Sequence, residues 1–80
     1  MKDVEIVQHI NELADEERAL EGSHAGHGLS DEERKRLRDV EVALDQCWDL
    51  LRQRRARRAV GADPDEAEVR PAATVETYLQ

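Results

Sequence analysis

Eighty residues with a net charge of −7 and 39% charged side chains make one small domain, close to the lower limit at which a single core stabilises a chain. Phe is absent and Trp48 and Tyr78 are the only aromatics, so any core is built from Leu, Val, Ile and Ala, and the sparse Gly and Pro favour a few long solvated helices over a sheet or a deep pocket. A membrane span is excluded, since no apolar run approaches the roughly 20 residues it needs, and one cysteine excludes an internal disulfide and fits a reducing cytoplasmic setting.

The first helix is predicted over residues 3–21, with Asp3 as its N-cap and Glu5 favouring the positive end of the dipole. Ile6, Ile10, Leu13 and Leu20 form a narrow seam at helical spacing, widened on one side by Val4, Val7 and Ala14. GSHAGHGL then holds three glycines in seven residues and reads as a loop. Its histidines, His24 and His27, have a chelating spacing. A structural metal site needs about four ligands, however, and Cys47 is too distant to complete one, so no metal or cofactor is expected.

Ser30-Asp31-Glu32-Glu33 has the form of a capping box and opens a second helix over residues 31–60. Leu37, Val40, Leu44, Cys47 and Leu51 carry its seam, with Trp48 and Leu50 beside them, and Gly61 is a natural residue to end it. Two seams joined by a short loop give an antiparallel helical hairpin. Sliding them together pairs Leu13 with Val40, Ile10 with Leu44 and Ile6 with Cys47. In this register helix 1 ends near Leu51, and the arginine run beyond it projects where nothing in helix 1 can neutralise it.

That run holds Arg52, Arg54, Arg55, Arg57 and Arg58 with no acid between them. Nucleic-acid binding is the first association. Against it, the positions spread around the helix, no aromatic is interleaved, acids flank the run, and the net charge repels polyanions. The favoured reading is a basic clasp for an acidic partner or for the chain's own acidic tail. Residues 62–80 form that tail: Asp63-Pro64-Asp65-Glu66 opens a short turn that Pro71 closes, and Thr74 caps a last one. Asp63, Asp65, Glu66 and Glu68 are expected near Arg54, Arg55 and Arg58, with Val75, Tyr78 and Leu79 docking on Val4, Val7, Trp48 and Leu51. Cys47, flanked by Asp45 and Asp49, is read as packing rather than as a nucleophile.

The phrases GLSDEERKRLRDVEVALDQCWDLLRQRRARR, GADPDEAEVR and VETYLQ together resemble a small actinobacterial family of uncharacterised proteins, a domain-of-unknown-function family, over nearly the whole chain. The resemblance implies a stand-alone protein of this size and brings no activity, cofactor or catalytic residue.

The expected fold is therefore all-α: residues 1–80 form a single helical-hairpin domain whose tail contains short helical turns. Val7, Trp48, Leu50 and Leu51 lie at or beyond the seam's edge. Left exposed, they are the expected interface of a homodimer, a four-helix bundle with helix 2 at its centre. The expected function is a non-enzymatic protein–protein interaction module, regulatory or scaffolding. The alternatives are a nucleic-acid-binding protein using Arg52 to Arg58, or a small enzyme with a site between subunits.

Overall fold

The computed structural model describes residues 2–22 and 28–78. In chain order it contains α1 (Asp3–Gly22), α2 (Asp31–Ala59), a 3₁₀ turn (Pro64–Glu66) and α3 (Ala72–Tyr78). The two long helices form the expected hairpin. The loop histidines His24 and His27, the tail residue Leu79 and the side chain of Tyr78 lie outside the described residues.

Local chemistry sets the helix ends. The Ser30 hydroxyl accepts from the Glu33 amide at 3.1 Å while the Glu33 carboxylate accepts from the Ser30 amide at 3.1 Å, which is the capping box. Gly61 takes φ +74°, and the Ala62 amide returns to the Arg57 carbonyl at 2.8 Å, closing α2 in a Schellman turn that a side chain at Gly61 would strain. Asp63 caps the 3₁₀ turn through the Asp65 amide at 2.9 Å, with Pro64 in the first position.

Two expectations about ends are corrected. Asp3 does not cap α1: the Lys2 carbonyl accepts the first helical amides, and the Asp3 carboxylate is taken by arginines of α2. Pro71 closes no turn. Its carbonyl accepts from the Thr74 and Val75 amides at 3.0 and 3.2 Å and so opens α3, a position where its missing N–H costs nothing.

Ile6, Ile10, Leu50 and Leu51 form the buried cluster, with Leu44, Cys47 and Ala67 packed on it; Leu13 and Val40 are also buried. Full burial of a side chain such as Ile6 contributes about 1.5–3 kcal/mol. Here the structure corrects the expected dimer interface. Leu50 and Leu51 are only 4% and 3% exposed, because they cluster with Ile6 and Ile10 of α1 and the returning tail packs Ala67 against that cluster. They belong to the chain's own core.

The helices α1 and α3 both pack on α2, and α3 makes no packing contact with α1. Successive residues turn about 100° around a helix, and the α2 positions facing Glu76 of α3, namely Arg38, Glu41 and Asp45, lie roughly opposite the seam positions Val40, Cys47 and Leu51. The three helices therefore lie side by side with α2 central. The molecule measures 51 × 25 × 15 Å, little thicker than the 10–12 Å of one helix with its side chains. It is a single-layer raft. Residues 62–70 run along one of its faces as a strap, tied by Gln53 Nε2 to the Glu68 carbonyl at 2.8 Å and by Gln46 Nε2 to the Arg70 carbonyl at 3.1 Å.

Candidate functional site

The arginine run is divided among four tasks. Arg54, 5% exposed, hydrogen-bonds to Asp3 of α1, to Asp65 at 3.0 Å and to the Pro64 carbonyl at 3.1 Å, so one guanidinium joins α1, α2 and the strap. Arg58, one turn on, also reaches Asp3. The Asp3 carboxyl is held below its ordinary value by the Arg54 hydrogen bond first and by Arg58 after it. This corrects the expectation that no group of helix 1 neutralises the run. The seam arithmetic compared helix ends only, whereas long side chains on α2 point back toward its N-terminus and recover about a turn. Arg57 pairs with Glu66 at 3.5 Å. Arg55 is exposed and has no ion-pair partner among the described residues.

The tail contacts are thus made within the chain, through Asp65 and Glu66 to Arg54 and Arg57. Asp63 is engaged in capping, and Glu68 meets α2 through its backbone. α3 makes no packing contact with α1, so it does not dock on Val4 or Val7. Val75, 1% exposed, is buried against α2 on the side away from α1.

A second network surrounds Asp49, which is 6% exposed. Its carboxylate accepts from Gln53 Nε2 at 2.9 Å and faces Arg70 Nε at 3.4 Å and Arg52 Nη2 at 4.0 Å. Beside it two adjoining hollows of about 250 and 440 Å³ lie between α2 and the strap and share Gln53, Ala56 and Arg70 in their lining. A smaller, mainly apolar hollow of about 190 Å³ lies between His9, Leu50 and Val69. Burial raises the Cys47 thiol at its wall, which disfavours the nucleophilic thiolate.

The raft's other face is open and carries exposed apolar side chains among charged ones. Val4, Val7 and Trp48 are 64%, 45% and 46% exposed. Trp48 is turned roughly 80° from the seam, away from the flank that carries Gln46, Leu50 and the strap, and Val7 is turned to the same face of α1. Arg52 and Arg55 border this face on α2.

Two acidic groupings complete the picture. The carboxylates of Glu17, Glu21 and Glu41 come within 4.8 Å of one another on the hairpin surface. At the α3 contact, Glu76 faces Asp45, Glu41 and Arg38; its Oε1 is buried without a hydrogen-bond partner, and desolvation, then Asp45, raise its pKa. Among the described residues no helix is long and apolar enough to cross a membrane.

Comparison with known proteins agrees with the family likeness read from the sequence. Residues 2–80 match the family described as "Protein of unknown function (DUF2630)", and the chain belongs to that family. Among its relatives are the uncharacterized proteins Rv0898c of Mycobacterium tuberculosis H37Rv and Mb0922c of Mycobacterium bovis. Each is 54% identical over 77 residues, covering 95% of this chain and 88% of the relative. No solved structure matches the chain.

Proposed function

We propose that this member of the family is a non-enzymatic protein–protein interaction module, a regulatory or scaffolding homodimer whose two rafts close face to face over Val7 and Trp48. The observation that carries the reading is the open face itself: the chain's largest side chain stays 46% exposed and Val7, turned to the same face, 45% exposed, although the tail returns over the opposite face. Apolar surface gathered on one side of a small chain marks an association surface. A one-layer raft gains from stacking, because each helix otherwise leaves a flank wet. Two hairpins stacked this way make a four-helix bundle with both copies of α2 central.

The basic clasp narrows accordingly. Arg54 and Arg58 serve their own chain, so Arg52 and Arg55, at the border of the Trp48 face, are the cations available to acidic groups of a second copy or another acidic partner. The same pairing weakens the nucleic-acid alternative, which needs the run to act as one patch. An enzyme with a site between subunits gains no nucleophile from Cys47, whose thiol is raised by burial.

Sedimentation equilibrium at low micromolar concentration tests the dimer. A mass near 9.1 kDa for the natural chain refutes it. A mass near twice that, lost in Trp48→Glu and in Val7→Glu while helix content is kept, supports it. Leu51→Glu is uninformative, since Leu51 is core.

A further inference from the structure

We propose, resting on the face-to-face dimer above, that the two copies stack antiparallel about a two-fold axis at Trp48, so that the acidic hairpin end of each receives Arg55 of the other. The observation is the order of charges along the open face. Glu41, Trp48 and Arg55 follow one another at seven-residue steps. Seven residues come within about 20° of two full turns, so the three lie on one line of α2. Trp48 is midway, with a charge of opposite sign roughly 10 Å to either side.

Helix α1 repeats the order. Val7 and Glu21 are two such steps apart, with Ala14 between them. Ile6 clusters with Leu50 and Leu51, so Val7 stands within about a turn of Trp48 along the raft. Toward the hairpin loop the carboxylates of Glu17, Glu21 and Glu41 come within 4.8 Å of one another, and none has an ion-pair partner among the described residues. Like charges one turn apart destabilise a helix, as Glu17 and Glu21 do here, and a cation brought by a second copy relieves them. The cations nearby in sequence are engaged: Arg18 pairs with Asp15, and Arg34 donates to the Leu29 carbonyl at 3.2 Å. At the open end Arg55 is exposed without an ion-pair partner among the described residues, and Arg52 beside it has a 4.0 Å contact with Asp49.

Symmetry then selects the register. In a two-fold interface the same patch serves both copies, so every contact occurs twice. Parallel stacking sets Glu41 on Glu41 and Arg55 on Arg55, which repels at both ends. Antiparallel stacking through Trp48 places residues equally far on either side of it opposite one another. Glu41 of each copy then faces Arg55 of the other, while Trp48 and Val7 meet their own counterparts in the middle. The apolar centre supplies most of the affinity, because exposed ion pairs contribute little each, and the charged ends set the orientation.

The experiment is charge reversal in the full chain, read as the dimer dissociation constant by sedimentation equilibrium at low ionic strength. Glu41 and Arg55 are both exposed, so reversing them leaves the core intact, and helix content is checked by circular dichroism. They stand roughly 21 Å apart along α2, too far to compensate within one chain. Glu41→Arg and Arg55→Glu should each weaken the dimer about tenfold, since one reversal makes two contacts per dimer repulsive. The double variant Glu41→Arg/Arg55→Glu should dimerise more tightly than either single variant. Single reversals without effect overturn the antiparallel register, as does a double variant no tighter than the weaker single one. In both cases a natural chain that still dimerises, and stops doing so in Trp48→Glu, leaves the face-to-face reading standing. A natural chain that stays near 9.1 kDa overturns both.

Discussion

Replacing Val75 by Ala tests whether the tail is fastened to α2 as a separate small unit. Among the described side chains of α3 Val75 is the buried apolar one, 1% exposed, and α3 contacts no helix but α2. Removing two methyl-sized groups from a buried site costs about 0.8 kcal/mol each in transfer, or roughly 1.5–2.5 kcal/mol with the cavity included. The loss has a ceiling, however. The seven residues of α3 are too few to form a helix alone, so the variant cannot lose more than the free energy that docks them. Native-state hydrogen exchange separates the two levels. Amides of residues 75–78 should lose about tenfold or more of their protection, while those of residues 44–51 in the hairpin core keep theirs. Equal losses in both segments refute the separate unit and make raft and tail one cooperative structure. Unchanged protection in residues 75–78 refutes the docking role of Val75.

Ile6→Ala, at a site with no exposure in the central cluster, should cost about 2–5 kcal/mol, read as a loss of urea midpoint at constant slope. Gly61→Ala places a side chain at φ +74° with nothing near its Cβ, so strain alone should lower stability by about 1 kcal/mol in thermal unfolding. Acid and base should act oppositely on hairpin and tail. Asp3 and Glu16 have lowered pKa values, from hydrogen bonds to Arg54 and Arg36 respectively, so their contribution is present above the ordinary carboxyl range and is lost as pH falls below about 4. Glu76 is raised, so its contribution is present below the ordinary glutamate value of about 4.3 and is lost as pH rises through the raised value. Exchange protection of residues 75–78, corrected for intrinsic rates, should therefore fall as pH rises above the ordinary glutamate value of about 4.3, and Glu76→Gln should remove that dependence.

What the sequence made legible is what neighbouring residues decide among themselves. The capping box at Ser30 and Glu33, the glycine stop at Gly61 and the Asp63-Pro64 turn each involve groups a few residues apart, and each stands as expected. The seam was legible for a related reason: a repeat of three and four fixes one face of a helix whatever the partner. Where prediction failed, the deciding contact spans the chain. Asp3 meets Arg54 and Arg58 across more than fifty residues, and nothing local to either end records it. Leu50 looked like an open edge because it lies beside the seam, and the returning strap brings Ala67 onto the cluster it forms with Ile6, Ile10 and the seam residue Leu51. Asp49, Gln53 and Arg70 went unnoticed for the same reason, although an acid inside an apolar helical run was a visible signal.

The central helix explains why one face is left over. Around α2, α1 occupies one side and α3 the opposite side, so the strap has two faces to choose from. Arg54 makes the choice. Its guanidinium, already drawn to Asp3 at the start of α1, accepts the strap through the Pro64 carbonyl and Asp65, just after the left-handed turn at Gly61. From that point Gln53 and Gln46, on the same flank of α2, draw the strap along one face by its carbonyls at Glu68 and Arg70. Trp48 lies on the other flank and stays exposed as a geometric consequence. A tail that satisfied Trp48 would have to leave Arg54 buried with fewer partners and abandon both glutamine contacts, and a buried cation short of partners is the costlier arrangement. The Trp48 face is therefore open because of how the chain closes its other side.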